Sequence, residues 1–389
     1  MIKYPLCASV ARSQFRRWNM ASKVYFANMH CKMGDSLLKK LDRLIRKAGI
    51  ESIDFTDKFV AVKVHFGEWG NLAFLRQQYA RVICDCIKSR GGMPFLTDCN
   101  TLYAGYRNHA LNHLDAAYMN GYNPLATGVH TLIADGLRGT DEREITVEGG
   151  EYVKKAKIGA AIAEADVLIS LTHFKGHCNA GFGGTLKNIG MGCGSKHGKM
   201  EMHSSGTPTI DTHACIGCGM CVKNCANDGV HVIDRKAVID ENQCLGCGHC
   251  FAYCPKGAIE CKWDEAKPVM NRKIAEYTKA AIHGKPAFHV SFVVDVSPYC
   301  DCDSANDIPL VPDVGMFASF DPVALDQACV DAVNRQPIYA ESCIGQHAHE
   351  TGNHDVFHLM HHDTDWESGL IHAVKLGLGV REYEMIEVK

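Results

Sequence analysis

The sequence predicts an α/β fold with a mostly parallel sheet, into whose middle a compact cysteine-rich α+β module is inserted. Three observations carry this expectation. Short apolar runs alternate with amphipathic stretches from Lys23 to about Pro208, and the same alternation resumes after Lys262. Between them, eight of the 20 cysteines fall within 40 residues, 215 to 254. Residues 20–209 and 263–389 are therefore expected to be the two parts of one α/β domain, with residues 210–262 entering at a surface loop, where a scaffold tolerates insertion.

In chain order, Val24–Met29 and Phe59–Phe66 (with its Val-Ala-Val-Lys-Val run) read as buried strands. Asp35–Ala48 places Leu37, Leu38, Leu41, Leu44 and Ile45 on one helical face. Leu72–Ser89 repeats that pattern and stops at Gly91-Gly92. Pro94–Cys99 reads as a strand, Arg107–Met119 and Tyr152–Ala165 as helices, and Val167–Thr172 as a strand. After the module come a helix at Ala266–His283, strands at Ala287–Val296 and Val311–Phe317, and a helix at Pro322–Asn334 behind Asp321. A helix at Trp366–Leu376 and a strand at Glu384–Val388 complete the pattern. Residues 1–19 contain Arg12, Arg16, Arg17 and Trp18 but no apolar segment of a secretion signal. They read as a tag, an upstream start or a disordered extension.

Composition narrows the function classes. At 389 residues, 46% hydrophobic and 22% charged, the chain resembles ordinary globular proteins in composition. A net charge of −3 without a basic run argues against nucleic acid as a partner, and no apolar stretch is long enough to span a membrane. Twenty cysteines without a secretion signal point to metal or redox use in a reducing compartment, so a cytoplasmic location is expected.

The module carries two runs with one spacing. Cys215-Ile-Gly-Cys218-Gly-Met-Cys221-Val-Lys-Asn-Cys225 and Cys244-Leu-Gly-Cys247-Gly-His-Cys250-Phe-Ala-Tyr-Cys254 are both C-x2-C-x2-C-x3-C, the second followed by Pro255. They form an internal repeat offset by 29 residues, which extends to Gly229/Ala258 and Val230/Ile259. Three close thiolates wrap one face of a cubane, and the fourth cysteine of each run reaches the other cluster. Cys215, Cys218, Cys221 and Cys254 are thus assigned to one [4Fe–4S] cluster, and Cys244, Cys247, Cys250 and Cys225 to a second. Structural zinc, the competing reading, prefers two separated ligand pairs over two four-cysteine runs. The module resembles the two-cluster bacterial ferredoxins over about fifty residues, departing at Ala226, where the first run usually carries proline. That resemblance implies one-electron transfer.

A second dense segment, Leu171 to Cys193, follows a buried strand. Its glycines, among them Gly183 and Gly184, allow close approach of backbone to a ligand, or they make a glycine-rich turn with solvated side chains. His173, Lys175, His177, Lys187 and Asn188 supply charge, donors or metal ligands at the strand's carboxyl end, where open α/β sheets place their sites. The spacing matches neither a Walker loop nor a GxGxxG fingerprint.

Several segments together resemble the DUF362 family, usually described as iron–sulfur-binding. They are Val62-Lys63-Val-His65-Phe-Gly67, Thr97-Asp98-Cys99-Asn100-Thr-Leu-Tyr103, Asp295 to Asp303, Asp307 to Gly315 and Ala318 to Asp326. The resemblance covers residues 20–389 and leaves the reaction open. The series His177, Gly183-Gly184-Thr-Leu-Lys187, His203 is similar to a segment of the nickel-pincer lactate racemases, whose lysine and histidines hold the nickel cofactor. It implies Lys187, His177 and His203 as ligands of a further metal or organic cofactor, with His109 or His113 as a weaker fourth. Cys178, Cys193 and Asn188 are not part of that family's pattern.

Cys300 and Cys302, a C-x-C between aspartates, suit a soft metal, a redox pair or core filling. His347, His349, His354, His358, His361 and His362 crowd one polar segment, where His358 with His361 or His362 has helical ligand spacing. Cys84, Cys86, Cys329 and Cys343 read as inert core.

Three function classes follow. The first is a redox protein relaying single electrons to or from a site on the α/β domain, with Lys187 and His177 as catalytic candidates and a ferredoxin or flavodoxin as partner. The second is a carrier or docking subunit for a partner enzyme. The third is a protein that handles a metal or nickel cofactor.

Overall fold

The computed structural model describes residues 21–103, 105–204, 207–225, 227–244, 248–345 and 354–389. Cys247, Ala226, His347, His349 and the 1–19 extension lie outside these. The body is an eight-stranded sheet. Its strands in chain order are β1 (Ser22–Asn28), β2 (Phe59–Val64), β3 (Met93–Asp98), β4 (Thr131–Ile133), β5 (Val167–His173), β6 (Ala287–Val293), β7 (Gly315–Ser319) and β8 (Tyr383–Glu387). Across the sheet they run β8-β1-β7-β6-β5-β2-β3-β4. Every neighbouring pair is parallel except those of β7, which is antiparallel to both β1 and β6. The fold is α/β with a mostly parallel sheet.

Helices cover both faces, as parallel strands require. On one face, Val60, Val62 and Val64 of β2 and Ile169 and Leu171 of β5 pack against helices α1 (Leu37–Lys47) and α2 (Gln77–Lys88). On the other, Ala61 and Leu168 meet Ile189, Ile274 and Tyr277. That second face carries α3 (Thr185–Cys193), α4 (Lys196–His203) and α5 (Lys267–Ala281). Strand alternation therefore decides which side chains can meet beyond the strand ends.

Two expectations need correction. Tyr152–Ala165 is not one helix: Lys155–Gly159 is a strand paired antiparallel with Glu142–Thr146, and a short helix follows at Ala160–Glu164. The Lys-Ala-Lys-Ile run alternates exposed and buried, a two-residue period that its alanine content disguises. The strand expected at Val311–Phe317 begins only at Gly315. Asp313 instead accepts the N–H of Asp295 (2.7 Å) through its side chain, and Pro312 has no N–H for a ladder. The glycine-rich stretch is regular secondary structure over most of its length. It forms a hairpin, Lys175–His177 against Gly181–Gly183, and then α3.

The cysteine module lies between α4 and α5. Thr209–Ile210 pairs antiparallel with Ile259–Glu260, and Val230–Ile233 with Lys236–Ile239. Its small core gathers Val230, Ala237, Ala258 and Ile259 around Cys215, Cys221 and Cys250. The 29-residue repeat reappears in hydrogen bonds: Asp211 N–H donates to Ala258 O and Asp240 N–H to Gly229 O. Gly219 and Gly248 likewise both precede short helices with positive φ, 73° and 76°. Where the two connecting segments cross, Ser204 Oγ lies 3.3 Å from Asp264 Oδ1 and Glu265 N–H donates to His203 O.

Candidate functional site

The carboxyl ends of β2, β3 and β5, with α3 and α4, enclose a cavity of about 200 Å³. Lys63 is buried in a strand whose other residues are apolar, so its ammonium needs partners. It finds Asp98 Oδ1 at 3.0 Å and Asn188 Oδ1 at 2.9 Å. A Cβ on Gly192 would come within 2.5 Å of the Lys63 Nζ, so glycine is what lets α3 close over this lysine. Burial pushes the Asp98 carboxyl up, but Lys63, His113 and Arg107 outweigh it and hold it below the usual range. Arg107, also buried, bonds Glu68 Oε2 at 3.0 Å and the Tyr103 hydroxyl.

Of the residues nominated from sequence, Lys175, His177, Gly183, Gly184, Lys187, Asn188 and His203 all line this cavity. His173 does not. It shares the strand face of Ile169 and Leu171, and its ring bonds Asp301 Oδ1 (2.8 Å) and Val294 O (2.9 Å), which commits both nitrogens. Its role is to hold Asp301, which also pairs with Lys175 Nζ at 3.2 Å. Asn188 is a clamp: besides accepting from Lys63, it donates to Leu171 O and Thr172 Oγ1, fixing α3 to β5. Gly184 lies against Asp326, whose carboxylate accepts the N–H groups of Thr185 (2.6 Å) and Leu186 (2.9 Å) and caps α3.

His177 and His203 are neutral donors or acceptors here. Burial drives both downward, with Lys187 adding to it: His177 well below its ordinary value and His203 to about 3. The Nδ1 of His177 accepts from the N–H groups of Asn179 (3.1 Å) and Ala180 (3.0 Å), so its hydrogen resides on Nε2. Lys187 Nζ lies 3.4 Å from Cys300 Sγ. Burial opposes its charge, but Cys300 and Cys302 hold the ammonium above its usual range. Within that pair, the Cys302 hydrogen bond, with Lys187 and Lys175 adding to it, draws the Cys300 thiol far down, while Cys302 is pushed far up. Cys300, Cys302 and His177 offer ligand atoms all within 4.8 Å of one another, a group that could hold a metal. The histidines of the 354–362 segment form no such group among the described residues.

His109 and His113 stand apart. His109 Nδ1 accepts the N–H of Asn112 as a helix cap, and His113 is buried beyond Asp98, 3.9 Å from its Oδ2. Cys84, Cys86 and Cys329 are buried, whereas Cys343 is exposed. His65, Lys199 and Arg107 also line the cavity and were not nominated from sequence. Lys63, His65 and Asp98 lay within family-like segments, and the available signal was a lysine inside an all-apolar strand.

In the module, Cys215, Cys218, Cys221 and Cys254 line one small cavity. Backbone N–H groups point at the sulfurs: Ala237 to Cys215 (3.3 Å), Ala258 to Cys254 (3.3 Å) and Gly229 to Cys225 (3.2 Å). The amides of Ala237 and Gly217 lower the Cys215 thiol. In the other set, Gly229 packs against Cys244, where a Cβ would come within 2.8 Å of its Cα. The module meets the α/β body at a third cavity, lined by Phe251, Cys254 and Cys261 on one side and His109, Arg138 and Lys196 on the other. Leu102, Tyr103 and Trp263 line both this cavity and the one holding Lys187.

Among solved structures, the chain is similar to a lactate racemase apoprotein from Thermoanaerobacterium thermosaccharolyticum, at 13% identity and TM-score 0.37. It is also similar to a protein from Thermotoga maritima, at 11% identity and TM-score 0.38. Each alignment covers 76% of this chain but only 54% and 58% of the other protein, respectively. A comparison with curated protein sequences finds no match. The family model described as "Domain of unknown function (DUF362)" matches residues 60–331, more than half of the sequence, and the chain belongs to that family.

Proposed function

We propose that this protein relays single electrons between two [4Fe–4S] clusters in the cysteine module and a ligand bound in the cationic cavity of the α/β body. The observation that carries this reading is the shared wall. Leu102, Tyr103 and Trp263 separate the cavity beside Cys254 from the cavity holding Lys187 and His177. The donor sets fit the clusters: four cysteines around one cradle, and backbone N–H groups directed at sulfur in both repeats. Cys244, Cys250 and Cys225, with Cys247, would hold the second. Clusters held there supply one-electron chemistry at potentials set by these hydrogen bonds and by burial.

The cavity's own residues select the ligand. Lys63, Arg107 and Lys175 are matched by Asp98, Glu68 and Asp301, while Lys187 faces a thiol pair and Lys199 a backbone carbonyl, Gly194 O at 2.5 Å. The lining is thus richer in cations than in acids and favours an anionic ligand. Leu102, Met191 and Trp263 add apolar side chains to the lining. His177 Nε2–H is a fixed donor for that ligand. With no flavin or nicotinamide fingerprint in the sequence, the electrons are expected to come from a ferredoxin- or flavodoxin-type protein.

The nickel-cofactor reading has less support. Lys187, His177 and His203 do line one cavity, but His177 receives two backbone N–H groups where a ligating histidine ordinarily donates from its second nitrogen. His109 and His113 do not line that cavity.

Anaerobic reconstitution tests the proposal. About eight irons per chain are expected, with the EPR signal of reduced cubanes. Far fewer irons, or no such signal after reduction, would sink it.

A further inference from the structure

Cys300 and Cys302 stand outside both cysteine runs, yet they sit where the relay would end. Asp303 N–H donates to Cys300 O (2.9 Å) and closes a turn with Cys300 first and Cys302 third. Their sulfurs and a His177 ring nitrogen all lie within 4.8 Å of one another, and the Lys187 ammonium approaches Cys300 Sγ at 3.4 Å. Cys302 is half-buried and lines two spaces at once. One is the Lys187 cavity, and the other is an open groove with Trp69, Tyr103 and Tyr106.

We infer that Cys300 and Cys302 form a reversible dithiol–disulfide couple in the cavity wall, a two-electron store that can be filled from the cysteine module and reached from the outer groove. Two arguments favour this over a metal held by the same atoms. The hydrogen of His177 resides on Nε2, because Nδ1 accepts two backbone N–H groups, and that is the opposite of the usual arrangement around a ligating imidazole. The Lys187 ammonium, 3.4 Å from Cys300 Sγ, would also repel a dication held by these sulfurs.

Reduction breaks the S–S bond and takes up two electrons and one proton. Cys302 leaves as a thiol and Cys300 as a thiolate against the Lys187 ammonium; oxidation is the reverse. The reductant is a one-electron iron–sulfur or flavin protein acting through the module, and for this supply the inference rests on the proposed relay. The couple itself does not.

The full-length, reconstituted protein is equilibrated anaerobically with glutathione disulfide, alkylated and mapped by mass spectrometry. The expected result is a Cys300–Cys302 disulfide, two hydrogens lighter than the dithiol, that dithiothreitol reopens and that Cys302→Ser abolishes. Lys187→Met keeps both sulfurs but removes the charge beside the thiolate. It should shift the equilibrium with dithiothreitol about tenfold toward the disulfide. Complete alkylation of both thiols in the oxidised wild type overturns the inference. So does one equivalent of zinc or nickel that blocks oxidation and is lost in Cys302→Ser. If dithiothreitol reopens the disulfide and pre-reduced flavodoxin does not, the couple stands and the relay reading falls.

Discussion

The cysteine module and the α/β cavity satisfy their polar atoms by opposite means. In the module, sulfur is met by backbone N–H groups, those of Ala237, Ala258 and Gly229. In the cavity, side chains meet side chains: Lys63 with Asp98, Arg107 with Glu68, Lys175 with Asp301. Backbone donors are fixed by local fold and survive most substitutions. Side-chain pairs are undone by a single change, which leaves the partner charged and buried.

The comparison can be broken in four places. The largest effect is expected at Cys221→Ser, which should lose about half of the iron, some four atoms per chain, while the α/β body keeps its circular dichroism. A collapse of both regions together would show that they do not fold as separate units. Lys63→Met should come next, destabilising the chain by about 3–5 kcal/mol in denaturant titration because Asp98 is left uncompensated. Iron content should stay at the wild-type level, and a parallel loss of iron would blur the contrast. Asp326→Ala uncaps α3 and leaves two buried N–H groups without their acceptor, a cost of about 1–3 kcal/mol.

The smallest effect is a slope. His289 is fully buried against Ser170, and burial lowers it to about 3. Its unfolded value is about 6.5, so between these pH values the unfolded chain binds one proton more than the folded chain. The stability this neutral histidine contributes is complete above about pH 6.5 and is lost as pH falls toward 3. His289→Gln should therefore flatten stability against pH in that window by about 1.4 kcal/mol per pH unit, measured by urea unfolding. An unchanged slope would show that His289 titrates normally in the folded state.

Much of the α/β grammar was legible because burial imposes a period on the chain. Asp35–Ala48 put its leucines on one helical face, and α1 buries Leu41, Leu44 and Ile45. Asp321 announced the helix that it caps through the N–H groups of Val323 and Ala324. Lys155–Gly159 misled because alanine suits both periods. In the module, the spacing of Cys215, Cys218 and Cys221 with Cys254 assigned four residues that do line one cradle.

The rest needed tertiary structure. His173 and Lys175 are two residues apart, which on one strand would put them on one face, but β5 ends at His173 and the chain turns into the hairpin, so the first bonds Asp301 and Val294 while the second lines the cavity. Lys187 meets Cys300 across 113 positions of sequence, and Lys63 meets Asn188 across 125. Sequence by itself determined what local rules can write: the strand and helix periods, and two cysteine runs whose members lie a few residues apart. Only the packing of α3 and α4 over the ends of β2, β3 and β5 decided which charges face one another. A parallel sheet joins strands distant in the chain, and no local pattern records the partners it brings together.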